Sequence, residues 1–257
     1  MLVDSSQEVT STDDAFDRIL TAQPDSITTY DCLYRGRGRT LTRGTPELPD
    51  PGQIGALYDL AWKKLRAEGY HAPYGSVNFS RHPAETGTSA YFEGRLLHAL
   101  PYLGIGNYAT SLFGDRWTWA ERNVRRWIDR AGRSWAIRDD YSLPPEELMA
   151  KQLLLMLSFG RISGLHFRER FGEPPESRFG PALERARSEG LLEPRGEDWW
   201  MIPGSFGRLP LLRALLYSER ALRWLERSTR GSRSSSEVPP RRERPEAPEP
   251  LLRYDLR

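Results

Sequence analysis

The pattern that most restricts the fold is an extended segment, an amphipathic helix and a second extended segment in succession. Residues Ser26–Tyr34 are rich in β-branched and aromatic side chains, which favours a strand. Gln53–Glu68 carries apolar side chains at helical spacing, and Gly69 is placed to end that helix. Tyr74–Phe79 predicts another short strand. A helix between two strands is typical of a βαβ unit, so the sequence predicts a parallel sheet in an α/β fold.

The carboxy-terminal part of the chain is predicted to be mostly helical. Apolar spacing indicates three helices, at Glu146–Phe159, Leu165–Phe171 and Pro181–Glu189. Leu191–Ile202 then predicts two short strands around a turn, and Arg208–Leu225 predicts a last helix. Three helices, a β-ribbon and a further helix are typical of a winged-helix domain.

The charge balance and the cysteine count exclude several classes of protein. Lys and Arg total 37 against 35 Asp and Glu, a net charge of +2 that gives no reason to expect nucleic acid as the main partner. The single cysteine, Cys32, cannot form an internal disulfide, a four-cysteine zinc site or three ligands of an iron–sulfur cluster. The longest apolar run, Leu153–Leu157, is far shorter than the roughly 20 residues of a membrane span. With no signal-peptide pattern at its start, the chain is expected to be cytoplasmic.

Four short motifs occur in the order that one family of enzymes shows. Pro24–Tyr30 resembles that family's sixth barrel strand, and Tyr74–Arg81 is similar to its "Y-E-I-S-N-F-A-R" element. Tyr102–Ser111 resembles its "Y-L-G-x-G-x-x-A-x-S" segment, and the turn at Gly190–Glu193 is similar to part of its last domain. From about residue 10 to residue 225, the chain resembles the carboxy-terminal half of the oxygen-independent coproporphyrinogen III oxidase-like radical S-adenosylmethionine proteins.

This resemblance implies the fold and its division. The expected fold class is α/β: the remnant of a partial (β/α) barrel, followed by a mostly helical, winged-helix-like carboxy-terminal domain. Residues 1–140 would form the last part of the barrel and its extension, and 141–227 the carboxy-terminal domain. Residues 228–257 are rich in Ser, Pro, Arg and Glu and are expected to be a disordered tail.

The resemblance also implies cofactors that this chain lacks the ligands to hold. The family binds a [4Fe–4S] cluster through a C-x-x-x-C-x-x-C loop, together with S-adenosylmethionine, and no such loop occurs here. We therefore expect a truncated or split protein that begins near the end of the fifth strand, with no catalytic residue, metal ligand or cofactor of its own. A cluster-bearing protein half is the expected partner. Oxidative decarboxylation of a porphyrinogen and methyl transfer both remain open as the parent activity, and the small-molecule substrate stays unassigned.

Five residues are candidates for contact with the cofactor. Glycines in an extended run allow a ligand to approach the backbone closely, as at Gly104 and Gly106. By resemblance these two glycines and Thr110 would lie near the S-adenosylmethionine pocket, and Tyr30 and Asp31 would face the same pocket. The alternative is that the glycines only relieve crowding at a corner of the barrel.

Haem binding is a further property of some family members. Their "H-N-x-x-Y-W" element corresponds here to Gly87–Phe92, where the aromatic pair is kept but glycine stands at the histidine position. His82 and His98 lie nearby in the sequence. A lone histidine is more often a surface or packing residue than an axial ligand, so haem is not expected.

Two alternatives to an enzyme half remain. One is a non-catalytic subunit that docks on a cluster-bearing partner, which predicts an exposed apolar sheet edge near Ser26–Tyr34. The other is a winged-helix nucleic-acid binder, which the even charge of Pro181–Glu189 disfavours. Basic residues interleaved with tryptophans could also bind nucleic acid, although an amphipathic helix with its tryptophans packed inward is favoured. The residues concerned are Arg122, Arg125, Arg126, Arg130, Arg133, Trp117, Trp119, Trp127 and Trp135.

Overall fold

The computed structural model describes residues 2–3, 16–31, 50–130 and 137–223. The chain packs into two compact units. Unit 1 combines the described residues up to His98 with Leu153–Leu216, and unit 2 combines Ala99–Gln152 with the described residues from Tyr217 onward. The predicted division at residues 140 and 141 stays a prediction, and the predicted disordered tail lies outside the described residues, as does Cys32.

The first segment of unit 1 is organised around one long helix. Its elements are β1 (Leu2–Val3), the described part of α1 (16–21), β2 (Ser26–Thr28), β3 (Tyr30–Asp31), α2 (Pro51–Ala67), β4 (Asn78–Ser80) and α3 (Ala90–Leu96). Helix α2 begins with a capping box, in which Asp50 and Gln53 each accept a hydrogen bond from the other's backbone N–H. The predicted apolar face is confirmed, because Tyr58, Ala61 and Leu65 are buried. It packs on a core that includes Phe16, Ile27, Tyr70 and Phe79.

The predicted parallel pairing across α2 is wrong. Strands β2 and β4 pair in the antiparallel direction, with Ile27 opposite Phe79. The reason is a reversal after the helix: His71 forms an antiparallel bridge with Ser80, so the chain turns back before β4 begins. Gly75, with φ +91°, lies within this reversal. The only parallel pair among the described strands is β1 with β3.

The second segment of unit 1 contains three helices and a small sheet. Its elements are the last residues of α5 (Pro145–Met156), β8 (Arg161–Ile162), α6 (Gly164–Phe171), α7 (Glu176–Ser188), β9 (Leu192–Arg195), β10 (Asp198–Met201), a 3₁₀ helix (Phe206–Arg208) and α8 (Leu209–Leu216). The sheet has the antiparallel order β8-β10-β9. The predicted helices and the two-stranded ribbon are confirmed here, and the mixture of helices and strands agrees with the α/β class.

Two predicted helix boundaries in this region are wrong. Helix α7 begins at Glu176, so Pro181 lies inside the helix instead of at its first turn. Burial of Phe179 against the core outweighs the hydrogen bond that Pro181 cannot donate. The last predicted helix is broken: α8 ends at Leu216, and α9 (219–223) follows a new cap in which the Ser218 hydroxyl accepts a hydrogen bond from the Ala221 N–H.

The two segments of unit 1 meet at a junction where glycines let two backbones come into contact. The Cα atom of Gly55 on α2 approaches the backbone of Gly207 in the 3₁₀ helix, and a Cβ atom on Gly207 would overlap the carbonyl oxygen of Pro51. This close approach brings the ring of Tyr58 flat against that of Phe206, with the ring centroids 3.6 Å apart. Residues far apart in the sequence are therefore held together by backbone contact and one aromatic stack.

Unit 2 is a three-stranded antiparallel meander with a short helix. Its elements are β5 (Thr110–Phe113), β6 (Arg116–Ala120), α4 (Val124–Arg130) and β7 (Ile137–Ser142), together with most of α5 and the described α9. Trp117 and Trp119 alternate with exposed or half-buried neighbours on β6 and are buried, so strand periodicity, and not a helix, turns them inward. The predicted helix at Val124–Ile128 is confirmed, but α4 buries none of its residues. Arg133 and Trp135 lie outside the described residues.

None of the helices within the described ranges combines the length and apolar character needed to cross a membrane. The cytoplasmic location stays a prediction.

Candidate functional site

The glycine-containing loop of unit 2 brings two of the predicted cofactor residues together. A Cβ atom on Gly104 would overlap the carbonyl oxygen of Thr110, so only glycine fits there. The Gly104 N–H donates to the hydroxyl of Ser111 (3.0 Å), and the Thr110 hydroxyl lies 3.3 Å from that of Tyr102. These contacts account for glycine at position 104 by packing within the loop, and contact of Gly104 with a cofactor stays a prediction.

Gly106 has a different role in the same loop. Its φ of +109° is a backbone conformation that side-chain-bearing residues rarely adopt, and no atom lies within 4 Å of the position that a Cβ would take. The neighbouring Ile105 is the most exposed large apolar residue among those described, at 86%. The backbone at Gly106 is thus open to approach.

Tyr30 and Asp31 lie in unit 1, on β3, which pairs with β1. The Tyr30 side chain is 53% exposed. Gly104, Gly106 and Thr110 belong to unit 2. The assignment of all five residues to one pocket therefore stays a prediction.

In the segment that corresponds to the haem motif, the first position, Gly87, has no room for a side chain. A Cβ atom on Gly87 would lie 2.6 Å from the carbonyl carbon and oxygen of Phe79, and Gly87 has φ +72°. A histidine cannot occupy this site without moving β4. Among the described residues, no three His, Cys, Asp or Glu side chains are grouped so that they could hold a metal ion.

Two histidines of unit 1, His98 after α3 and His166 on α6, form a pair. The rings of His98 and His166 meet edge to face, with centroids 4.5 Å apart, and His166 Nδ1 lies 2.9 Å from the hydroxyl of Ser163. Burial, followed by the charge of His98, lowers the pKa of His166. The neutral imidazole is thus favoured in the folded protein.

Sequence reasoning missed a cleft in unit 1. It consists of two adjoining cavities of about 500 Å³ and 220 Å³. The cavities share six lining residues, which are His71, Ala72, Pro73, Pro83, Glu85 and Trp200. A volume of this size is typical of small-molecule sites, which range over roughly 300–1,000 Å³.

Helix α2 and the reversal after it hold the aromatic wall of the cleft. The indole N–H of Trp62 donates to the carbonyl oxygen of Ala72 (3.3 Å). The Tyr74 hydroxyl donates to Asp59 (2.6 Å) and accepts from the Phe206 N–H (3.2 Å). Burial and the neighbouring Asp59 carboxylate raise the pKa of Tyr74, so its hydroxyl keeps its proton at neutral pH.

Guanidinium groups surround the two tryptophans of the cleft. Arg161 and Arg195 both stack on the ring of Trp200, at 4.9 and 5.4 Å from its centroid, and Arg66 lies 5.0 Å from the centroid of Trp62. Arg161 is paired with Asp198 (3.0 Å), and Arg195 with Glu193. In the part of the chain that the structure describes, no ion pair is found for Arg66.

Two signals in the sequence could have pointed to this cleft. Trp62 and Arg66 are four residues apart on α2, so they share a face of the helix, and Trp200 follows Trp199 on a strand, so the two rings face opposite sides. Neither signal reveals that α2 and β10 meet, because no local pattern records contacts between distant segments.

Comparison with known proteins gives a likeness of fold. No protein-family model matches the chain, and no curated protein sequence does. The chain is similar to the solved structure of coproporphyrinogen III oxidase (HemN) from Escherichia coli, described as a radical SAM enzyme, with a TM-score of 0.62 and 14% sequence identity. The match covers 82% of this chain and 52% of that one, so the chain spans about half the length of that enzyme. The two share a fold over the matched region.

Proposed function

We propose that the chain is a distant relative of the coproporphyrinogen III oxidase-like radical S-adenosylmethionine proteins and corresponds to their carboxy-terminal half. The observation that carries this proposal is the fold likeness to such an enzyme over 82% of the chain. The order of four sequence motifs supports the same family independently of the fold. In the parent protein this half would shape the substrate pocket, for decarboxylation of a porphyrinogen or for methyl transfer.

The finer architecture belongs to the same proposal. We assign residues 1–140 to the end of a partial (β/α) barrel and its extension, and residues 141–227 to a winged-helix-like carboxy-terminal domain. The order of its elements supports the second assignment, because α5, β8, α6 and α7 are followed by the β9–β10 hairpin.

The iron–sulfur cluster of that family does not fit this chain. Such a cluster needs three cysteine thiolates here, with one iron left for the cofactor, and the 257 residues contain only Cys32. The cluster would therefore be held by residues outside these 257. Gly104, Gly106 and Thr110 in unit 2, with Tyr30 and Asp31 in unit 1, are the residues that we propose to contact S-adenosylmethionine in the assembled protein.

The test is anaerobic reconstitution of the purified 257-residue chain with iron, sulfide and S-adenosylmethionine under reducing conditions. We expect substoichiometric iron and no 5′-deoxyadenosine from the chain alone, and the same result from a Cys32→Ser control. Affinity purification from the native cell extract is expected to recover a protein that carries a cluster motif. The proposal would be overturned if the chain bound stoichiometric iron and released 5′-deoxyadenosine, and if the Cys32→Ser variant lost both.

Nucleic-acid binding by the winged-helix-like region is not favoured. The arginines of α7 are paired with carboxylates, as Arg185 is with Glu189 and Arg187 with Glu184. A surface neutralised in this way attracts phosphate weakly.

A further inference from the structure

We infer that the cleft of unit 1 is a binding site for a small aromatic anion, a planar ring that carries one carboxylate or phosphate group. This inference uses only residues of unit 1 and involves no radical chemistry, so it does not depend on the proposed function. It rests on the shape of the cleft, its aromatic walls and the distribution of charge around it.

The aromatic walls select a flat apolar ligand. Trp62 and Tyr74 meet edge to face with centroids 5.4 Å apart, which forms a corner of two ring surfaces on one side of the larger cavity. Trp200 lines both cavities but already carries the guanidinium groups of Arg161 and Arg195 on its ring, so the stacking surface is the corner of Trp62 and Tyr74. Aromatic rings stack favourably on such surfaces, in offset or edge-to-face arrangements.

The orientation of these walls is fixed before a ligand arrives. The Trp62 indole is tied to Ala72, and the Tyr74 hydroxyl bridges Asp59 and the Phe206 N–H. A wall held by hydrogen bonds loses little conformational freedom on binding, which favours affinity.

The charge of the cleft selects an anion. Three arginines line it against one carboxylate, that of Glu85. Arg161 and Arg195 are each neutralised by an ion pair, so Arg66 supplies the positive charge that a ligand can meet. A guanidinium presents paired N–H donors that match the geometry of a carboxylate or phosphate. Arg66 is four residues from Trp62 on α2, which lets one ligand contact both.

The experiment uses three probes with the same ring and different charge: indole-3-acetate, indole-3-acetamide and tryptamine. Each is titrated into the full 257-residue chain by calorimetry at low ionic strength. Because a hydrogen bond between two charged groups is stronger than one to a neutral amide, we expect indole-3-acetate to bind about tenfold or more tightly than the amide. Tryptamine is expected to bind least.

Two variants and a control locate the site. Arg66→Gln is expected to reduce the affinity for indole-3-acetate to that for the amide, while the affinity for the amide stays unchanged. Trp200→Leu is expected to weaken all three probes. Arg178→Gln removes an arginine of unit 1 that pairs with Glu173 and does not line the cleft, and it is expected to change nothing. Because Arg66 is exposed, its substitution leaves the core intact. Equal binding of the three probes, no saturable binding, or an unchanged affinity in Arg66→Gln would overturn the inference.

Discussion

The two units of this chain reach a packed state by different routes. Unit 1 depends on contacts between distant segments, such as the hydrogen bond from the Phe206 N–H to the hydroxyl of Tyr74, 132 residues away. The sheet of unit 2 joins neighbours in the sequence, and β5 and β6 are separated only by a turn at Gly114–Asp115. Contacts between distant residues require loop closure before they stabilise anything, so unit 1 should form later and more cooperatively than the sheet of unit 2.

The cores of the units differ in the same way. Unit 1 buries a cluster of apolar side chains drawn from α1, α2, β2 and β4. Unit 2 depends on Trp117, Trp119 and Leu143, with the ammonium group of Lys151 lying 3.9 Å from the centroid of the Trp117 ring. A few large aromatic side chains can stabilise a small sheet. In a core built from many side chains of several elements, a change at one position affects the packing of the others.

The largest effects are expected from two glycines, one in each unit. A Cβ on Gly160 would overlap the Tyr74 carbonyl oxygen at a φ of +72°, and one on Gly104 would overlap that of Thr110. Substitution of either by alanine is expected to destabilise its own unit by about 3–5 kcal/mol. Hydrogen exchange read by mass spectrometry should show Gly160→Ala losing protection in unit 1 and Gly104→Ala losing it in unit 2.

Gly180→Ala is the matched control for these variants. It lies in α7 with no positive φ, and outside its chain neighbours no atom lies within 4 Å of the added methyl group. The gain in helix propensity is offset by crowding against Pro181, the next residue, so the free energy of unfolding is expected to change by less than about 1 kcal/mol. If Gly160→Ala and Gly104→Ala each lowered protection equally in both units, the units would unfold together and the comparison would fail.

A smaller effect is expected from the hydroxyl that supports the junction of unit 1. Tyr58 donates to the Ser76 carbonyl oxygen (2.7 Å) and accepts from the Gly75 N–H (2.8 Å) in a buried position. Tyr58→Phe leaves both backbone groups without that partner and should cost about 2 kcal/mol in the free energy of unfolding by urea. Tyr91→Phe removes an exposed hydroxyl and should leave the free energy of unfolding nearly unchanged. An equal response of the two variants would show that the junction contributes little.

The smallest expected effect is a difference between the two units in how their stability depends on pH. All four histidines lie in unit 1, and the pKa of His166 is lowered by burial and by His98, against the opposing charges of Glu169 and Asp198. A folded pKa below that of the unfolded chain means that the unfolded state binds the proton more readily. Stability from His166 is therefore complete above about pH 6.5 and is lost as the pH falls through its lowered pKa.

Unit 2 should respond only in stronger acid. A hydrogen bond from Arg116 lowers the pKa of Asp140, and a backbone N–H from Asn123 lowers that of Glu121. Their contribution is lost as the pH falls below about 4, through the lowered values. Hydrogen exchange at pH 7 and pH 5 should show weaker protection of unit 1 alone at the lower pH, and His166→Gln should reduce that difference. Loss of protection in unit 2 over the same range would contradict the contrast.

Local patterns predicted helices well and pairing poorly. The face of α2 and the ribbon at β9–β10 follow from side-chain spacing and turn residues, which act within a few positions. The parallel pairing failed because the sequence shows that a strand follows a helix but does not show the reversal bridged by His71 and Ser80. On β6 the alternation of Arg116, Trp117, Thr118 and Trp119 was a usable strand signal, which the surrounding arginines obscured.

The candidate sites show the same limit. The close fit of Gly104 is partly readable, because glycine in an extended run signals a close approach, but whether a ligand or the loop itself approaches is a matter of tertiary structure. The cleft could not be predicted, because Trp62 and Trp200 come from the two distant segments of unit 1. Their meeting depends on the junction between α2 and the 3₁₀ helix.

The junction depends on the absence of a side chain at Gly55 and Gly207. An apolar core residue can be exchanged for another of similar volume, but any side chain at Gly207 would push two main chains apart. Proteins that share this architecture after most of their sequence has drifted should therefore be recognisable by glycines at matching positions, such as those at 55, 160 and 207, even where their hydrophobic residues no longer agree. A sequence search that weights these glycines as heavily as bulky core residues would find such relatives where ordinary alignment fails.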